Sequence, residues 1–265
     1  MNTTYKKSYN LINSNLQVLM RSDMNAMIVI SKGGLGKTTL VMNTMKTNGY
    51  ELGKHYLYFN SYFTPLAFYQ AMGETNGLKK PNLMILDDVE MILKDKNILN
   101  LMKAGSWNNA GDKRLVTYQS TSKSVADKSI DFKGKMVILL NEVPKRNPSF
   151  TAMIDRSLFV ELNFNNNEIF DLMKTEIVNK PYKGLNYQNR LKVFKFLQKN
   201  ITPDTDLSFR TIIKAFNNFM YAPNSWQEIT SKMLGSSQVV DEPVSKKPMK
   251  NNNNNNNNNN KQTMI

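Results

Sequence analysis

Residues 26–41 read AMIVISKGGLGKTTLV. A strand-sized apolar run, a glycine-rich turn and the opening of a helix follow one another without interruption. That succession is what a triphosphate-gripping loop requires. Gly33, Gly34 and Gly36 let the backbone curl so that successive N–H groups face phosphate oxygens, and a helix starting near Lys37 adds the positive end of its dipole. With Leu35 and Thr39 these residues form the expected nucleotide-contacting set. Lys37 is expected to reach the β- and γ-phosphates of ATP, and the Thr38 hydroxyl to ligate Mg²⁺. The pattern GxxxxGK(S/T) wants glycine at its first position, where this chain has Ser31. An ordinary glycine turn is the bland alternative.

Further along, residues 83–88 read LMILDD, an apolar run closed by two aspartates. An acidic residue closing a neighbouring strand can hold the Mg²⁺ shell, and a second carboxylate can polarise the attacking water. Asp87 is assigned to the metal and Asp88 to the water. Glutamate is the commoner base and reaches one methylene further, so Glu90 is a candidate to share the role. A strand ending in a solvated acidic turn would look the same.

The flanking sequence has the matching rhythm. AMIVI, HYLYF, NLMIL, RLVTY, KMVILL and SLFVEL alternate with polar or helical stretches between residues 26 and 164. Such alternation predicts an α/β fold with five or six strands in a parallel sheet. Before it, residues 4–21 carry Tyr5, Tyr9, Leu11, Ile12, Leu16, Val18 and Leu19 near helical spacing. After it, NNNEIFDLMKTEIVNK, YQNRLKVFKFLQKN and SFRTIIKAFNNFM predict three helices. The expected organisation is an N-terminal helix (1–20), an α/β core (21–164), a helical unit (165–222) and a disordered tail (223–265) containing ten consecutive asparagines at 251–260.

Composition narrows the function classes. With 35 Lys+Arg against 21 Asp+Glu, the net charge of +14 favours polyanionic partners such as nucleic acid, although a basic but indifferent surface has the same count. The chain contains no cysteine, which excludes disulfides, thiol catalysis and cysteine-ligated zinc. An intracellular protein is expected, with no export signal and no membrane segment, because the longest apolar runs are strand-sized. His55 is the single histidine and reads as structural.

Two families compete for the loop. KGGLGKTT at residues 32–39 resembles the deviant phosphate loop of partition-type ATPases, whose signature lysine would be Lys32. The order of features over residues 21 to 220 resembles instead the AAA+ ATPases, which carry a helical lid. That resemblance implies a parallel-sheet core with a C-terminal lid, ATP and Mg²⁺ as ligands, and a homo-oligomeric ring or partial ring. It makes Asn141 the polar sensor that orients water, Arg156 an arginine finger delivered to a neighbour's γ-phosphate, and Arg210 the lid arginine that contacts nucleotide. Taken singly, Asn141 could cap a turn, Arg156 form an internal salt bridge and Arg210 lie on the surface. TPLAFYQAM, LMILDDVEMILKDKNILNLMKAG, KRLVTYQS, FKGKMVILLNEV and AMIDRSLFVELNF resemble, more narrowly, the small AAA+ ATPases of tailed bacteriophages, which implies a place in the host cytoplasm.

AAA+ proteins commonly work on a polymer through a central pore, and here FNSYFTPLAFYQ would supply Tyr62 and Phe63. Packing of both rings in the core is the competing reading. Basic residues at Lys180, Lys183, Arg190, Lys192, Lys195 and Lys199, and again at Lys246, Lys247 and Lys250, could contact a DNA backbone or be a solvated face. The expected function is ATP-driven remodelling of nucleic acid or a nucleoprotein complex. A slowly hydrolysing switch or loader, or a protein-directed chaperone, are the alternatives.

Overall fold

Strand β1 (Ala26–Ser31) is buried at all six positions. Its alternate side chains divide between two apolar clusters, Ala26, Ile28 and Ile30 on one face of the sheet, Met27 and Val29 on the other. A strand covered on both faces favours apolar side chains throughout, which is why residues 26–30 read as continuously apolar, with only the terminal Ser31 polar. The computed structural model describes residues 3–107, 113–119, 128–143, 147–202 and 205–235, with side chains from residue 9 onward.

Helices α1 (Thr3–Arg21) and α2 (Lys37–Thr47) cover the Met27 face through Ile12, Leu16, Leu19, Val41 and Met45. Ile12, Leu16 and Leu19 fall at i, i+4 and i+7, a single buried stripe. Leu11 and Val18, read from sequence as part of that set, are exposed instead. The Ile28 face is covered by α3 (Pro65–Asn76), α4 (Lys96–Ser106) and α5 (Pro148–Ile154). Each of these three starts on a side-chain cap, Thr64, Asp95 and Asn147 respectively, which satisfies N–H groups that the first turn leaves free.

Five strands form the parallel sheet, in the order β2 (Tyr56–Phe59), β3 (Leu83–Asp87), β6 (Lys135–Leu140), β1, β7 (Leu158–Leu162). The sixth expected run departs from the prediction. Within RLVTY, β4 (Leu115–Thr117) pairs antiparallel with β5 (Ser129–Asp131) in a separate ribbon. Only Val116 of β4 is buried, whereas a strand inside the doubly covered sheet would be buried throughout. Arg114 fixes the ribbon to α4 by donating to the Gly105 carbonyl at 2.7 Å, with its guanidinium 5.1 Å over the Phe132 ring. Burial lowers its pKa to about 10, against the opposing pull of Asp131.

Beyond β7 the chain is helical: α6 (Asn166–Met173), a π-turn extension (Lys174–Val178), α7 (Tyr187–Asn200), α8 (Phe209–Tyr221) and α9 (Trp226–Leu234). The expected three helices are therefore joined by a fourth, and α9 lies in the stretch read as disordered tail. Trp226 is 4% exposed and sets its ring edge-on to Phe196 and Phe219, at 4.8 and 5.2 Å between centroids. A nine-residue helix behind a Pro and an Asn gives little periodicity to read. Residues 236–265, with the asparagine run, lie outside the described residues.

Candidate functional site

The turn after β1 is shaped by glycines at the positions that demand them. Gly34 and Gly36 have φ of 75° and 83°, in the left-handed region that side chains rarely adopt. Gly33 runs so close to Asn141 that a Cβ there would lie 3.3 Å from its Oδ1. Gly36 precedes α2 with no side-chain cap, so the first N–H groups of the helix remain available to an anion. Ser31, the departure from the motif, is the last residue of β1 and only 2% exposed.

Sheet order decides what meets that turn. Strand β6 lies between β1 and β3, which corrects the expectation that the acidic strand is β1's neighbour. The carboxyl ends of three consecutive strands therefore converge, carrying Asp87 and Asp88, Asn141, and the glycine turn. Thr38 Oγ1 donates to Asp87 Oδ2 at 2.7 Å, and the Tyr58 hydroxyl donates to the same oxygen at 2.8 Å. Asp87 is 3% exposed, and its Oδ1 is buried without a hydrogen-bond partner. Lys37 Nζ donates to Asn141 Oδ1 at 2.6 Å and approaches the Ser31 carbonyl at 3.4 Å. Asn141 Nδ2 in turn donates to Asp88 Oδ1 at 2.8 Å, and its backbone N–H to Glu90 Oε1 at 2.7 Å. The amide uses both its acceptor and its donor, bridging the cation to the carboxylate.

Electrostatics follow from this crowding. Burial lowers the pKa of Lys37, opposed by Asp88, Asp87 and Glu90 and reinforced by Arg210. Burial, then the hydrogen bond to Asp87, raises that of Tyr58. An uncompensated buried carboxylate oxygen is costly, and Asp87 Oδ1 beside a threonine hydroxyl is the donor set of a hard cation. Mg²⁺ is commonly held by one or two carboxylates together with phosphates and water rather than by an all-protein cage. Correspondingly, no group of three or more metal-binding acids or histidines occurs among the described residues.

A pocket of about 600 Å³ opens over these residues, walled on the far side by Glu176, Ile177, Phe209, Arg210 and Ile213 of the helical unit and by Tyr9 of α1. Three contacts tie the unit and α1 to the turn. The Phe209 N–H donates to the Gly34 carbonyl at 3.0 Å, the Tyr9 hydroxyl donates to the Leu35 carbonyl, and Lys32 pairs with Asp206 at 2.5 Å. Leu35 itself is 2% exposed and its side chain belongs to the apolar core of the helical unit, so only its backbone faces the loop.

The sequence-predicted set thus divides. Gly34, Gly36, Lys37, Thr38, Thr39, Asp87, Asp88 and Arg210 line one pocket, with Asn141 bonded to two of them. Arg156 stands apart, half-buried in the turn between α5 and β7, at the opposite end of the strands from the loop. Tyr62 is 62% exposed while Phe63 is buried against Phe59 and Phe68, so the two aromatics do not act as a pair. Arg190, counted among the surface cations, is buried and donates to the carbonyls of Val178 and Leu185. His55 accepts from the Glu51 N–H at 3.0 Å and shapes a turn. Lys246, Lys247 and Lys250 lie outside the described residues. Tyr58 and Tyr9 were missed by sequence reading, since neither sits in a motif and each reaches the site from a distant segment.

Comparison with known proteins bears on the fold. Among solved structures, a Thermotoga maritima RuvB variant superposes with a TM-score of 0.52 at 10% identity, over 86% of this chain and 69% of that one. Domain III of the Thermotoga maritima replication initiation protein DnaA gives 0.51 at 13% identity, over 88% and 93%. The likeness is one of fold, a five-stranded parallel sheet flanked by helices, shared with these AAA+ P-loop neighbours. Cdc6p of Pyrobaculum aerophilum shares the fold with a TM-score of 0.50 at 12% identity, over 90% of this chain and 69% of that one. In sequence, the chain is 24% identical over 252 residues to an uncharacterised 36.7 kDa protein of Enterobacteria phage T4, from its nrdC–mobD intergenic region; the match spans 87% of this chain and 74% of the relative. No family model matches. Among the described residues no helix is long and apolar enough to cross a membrane.

Proposed function

We propose that the chain is a Mg²⁺-dependent ATPase whose site a neighbouring copy completes, coupling ATP binding and hydrolysis to remodelling of nucleic acid or a nucleoprotein complex. The observation that carries the reading is the Asp87 carboxylate. One oxygen takes hydrogen bonds from Thr38 and Tyr58, and the other is buried and unpartnered beside the glycine turn. Bound there, Mg²⁺ would supply a Lewis acid that neutralises charge on the phosphates.

The chain's own groups take the remaining roles. Backbone N–H groups from Gly34 to Thr39 cradle phosphate, and Lys37 exchanges Asn141 for the β- and γ-oxygens. Its departure frees the Asn141 amide, which then orients water against Asp88. Arg210 closes the pocket from the lid. Arg156 lies at the opposite end of the strands from its own pocket and is assigned to the next copy's γ-phosphate, where a planar cation stabilises transition-state charge. The phage relative supports work in a host cytoplasm.

Lys37→Ala should abolish nucleotide binding, and Arg156→Ala should remove turnover while leaving binding intact. Normal turnover in Arg156→Ala would rule out the shared site. A second reading, a slowly hydrolysing switch or loader, is favoured by Asp88, whose short side chain sits at φ 53° with Oδ1 engaged by Asn141. Turnover measured with and without DNA separates the two: tight ATP binding with negligible hydrolysis in both conditions selects the switch. Stimulation by protein but not by DNA selects a chaperone.

A further inference from the structure

Away from the nucleotide pocket, the lid carries a groove of about 190 Å³ between α7 and α9, bordered by Lys192, Lys195, Lys199, Phe196, Trp226 and Gln227. The three lysines are exposed and fall at i, i+3 and i+7, one face of α7. Helix α7 has no acidic residue along its length, and none lines the groove among the described residues. The α9 acid, Glu228, is paired with Lys232 at 2.6 Å. The charge of the row is therefore left for an outside partner.

We propose that this groove binds the phosphodiester backbone of a nucleic acid. At 1.5 Å rise per residue, Lys192 and Lys199 stand roughly 10 Å apart along the helix. One strand of a duplex carries a phosphate about every 3.4 Å of axis, so the row spans about three of them. A row of like charge on one helix face fits a polymer of regularly repeated opposite charge. Base stacking has no place here, because Trp226 is 4% exposed with its ring packed against Phe196 and Phe219. Recognition is thus of backbone and independent of sequence. The inference deepens the remodelling reading and rests on it for purpose, while its test requires no hydrolysis.

The test titrates full-length protein, without nucleotide, into labelled single- and double-stranded oligonucleotides of mixed sequence at several salt concentrations, followed by anisotropy. Lys192→Gln/Lys195→Gln/Lys199→Gln should weaken binding by about tenfold or more and flatten the log K against log[salt] slope by roughly two to three. The corresponding triple Lys→Arg variant should keep affinity and slope. ATP binding should be unchanged in both, which separates failure of this surface from failure of the nucleotide site. Should the triple Gln variant lose ATP binding as well, the three single Lys→Gln variants carry the test, each lowering the slope by about one. Unchanged affinity and slope would overturn the proposal, as would absence of oligonucleotide binding by protein that binds ATP. So would equal displacement by poly-glutamate at matched charge, which would assign the groove to an acidic polypeptide.

Discussion

The two walls of the pocket over the glycine turn, one on the core and one on the proposed lid, are built differently. On the core wall, side-chain hydrogen bonds of 2.6–2.8 Å join Lys37 to Asn141 and Asn141 to Asp88, and separately Thr38 to Asp87, tying the start of α2 to the ends of two adjacent strands. Their backbones are held by a sheet buried on both faces, so a small displacement of one group disturbs the others. The lid wall is attached through the Phe209–Gly34 backbone bond, the buried Leu35 side chain and the exposed Lys32–Asp206 pair. Exposed ion pairs contribute only ~0–1 kcal/mol. We assign the holding of geometry to the core wall and adjustment to a bound ligand to the helical-unit wall.

Four substitutions test that contrast, in descending order of effect. Lys37→Ala removes the cation at the centre of the core wall, and isothermal titration should detect no ATP binding. Trp226→Ala removes the largest side chain shared by α7, α8 and α9, and should cost ~3–5 kcal/mol in thermal unfolding. The loss should fall on the lid, so hydrogen exchange should accelerate in α7–α9 and stay slow in β1, β3 and β6. Tyr58→Phe deletes one donor to the Asp87 carboxylate. Hydrogen bonds to charged groups contribute ~1.5–3 kcal/mol to stability, so the stability measured by thermal unfolding should fall by up to about that much, and the Mg²⁺ concentration for half-maximal turnover should rise as the carboxylate loses its positioning. Lys32→Ala breaks the exposed pair and should change stability by less than ~1 kcal/mol. Loss of hydrolysis in Lys32→Ala would reverse the contrast and return the partition-type reading of the loop.

Legibility in sequence followed the same division. Lys37, Thr38 and Asp87 could be read because local motifs carry them: a glycine turn between strand and helix, and an apolar run ending in acid. Asn141 and Arg210 were reached through resemblance, and the structure puts both at the pocket. Tyr58 could not be read, because its role depends on β2 lying beside β3, and the two bonded side chains are 29 residues apart. Tyr9 is 26 residues from Leu35, and its contact depends on how α1 lies across the loop. RLVTY was placed in the main sheet because an apolar run does not specify which strand it pairs with. Helix α9 went unread because its anchor, Trp226, gains meaning only from Phe196 and Phe219 on other helices.

In the proposed assembly each chain supplies half of a hydrolytic site. Lys37→Ala protein retains Arg156 but lacks its own nucleotide grip, and Arg156→Ala protein has the reverse defect. Mg²⁺-dependent ATP turnover should be lost in each alone, the finger variant by roughly 10³-fold or more, and should return when the two proteins are mixed. Turnover in the mixture no greater than the sum of the separate proteins, or unimpaired turnover by Arg156→Ala alone, would contradict it.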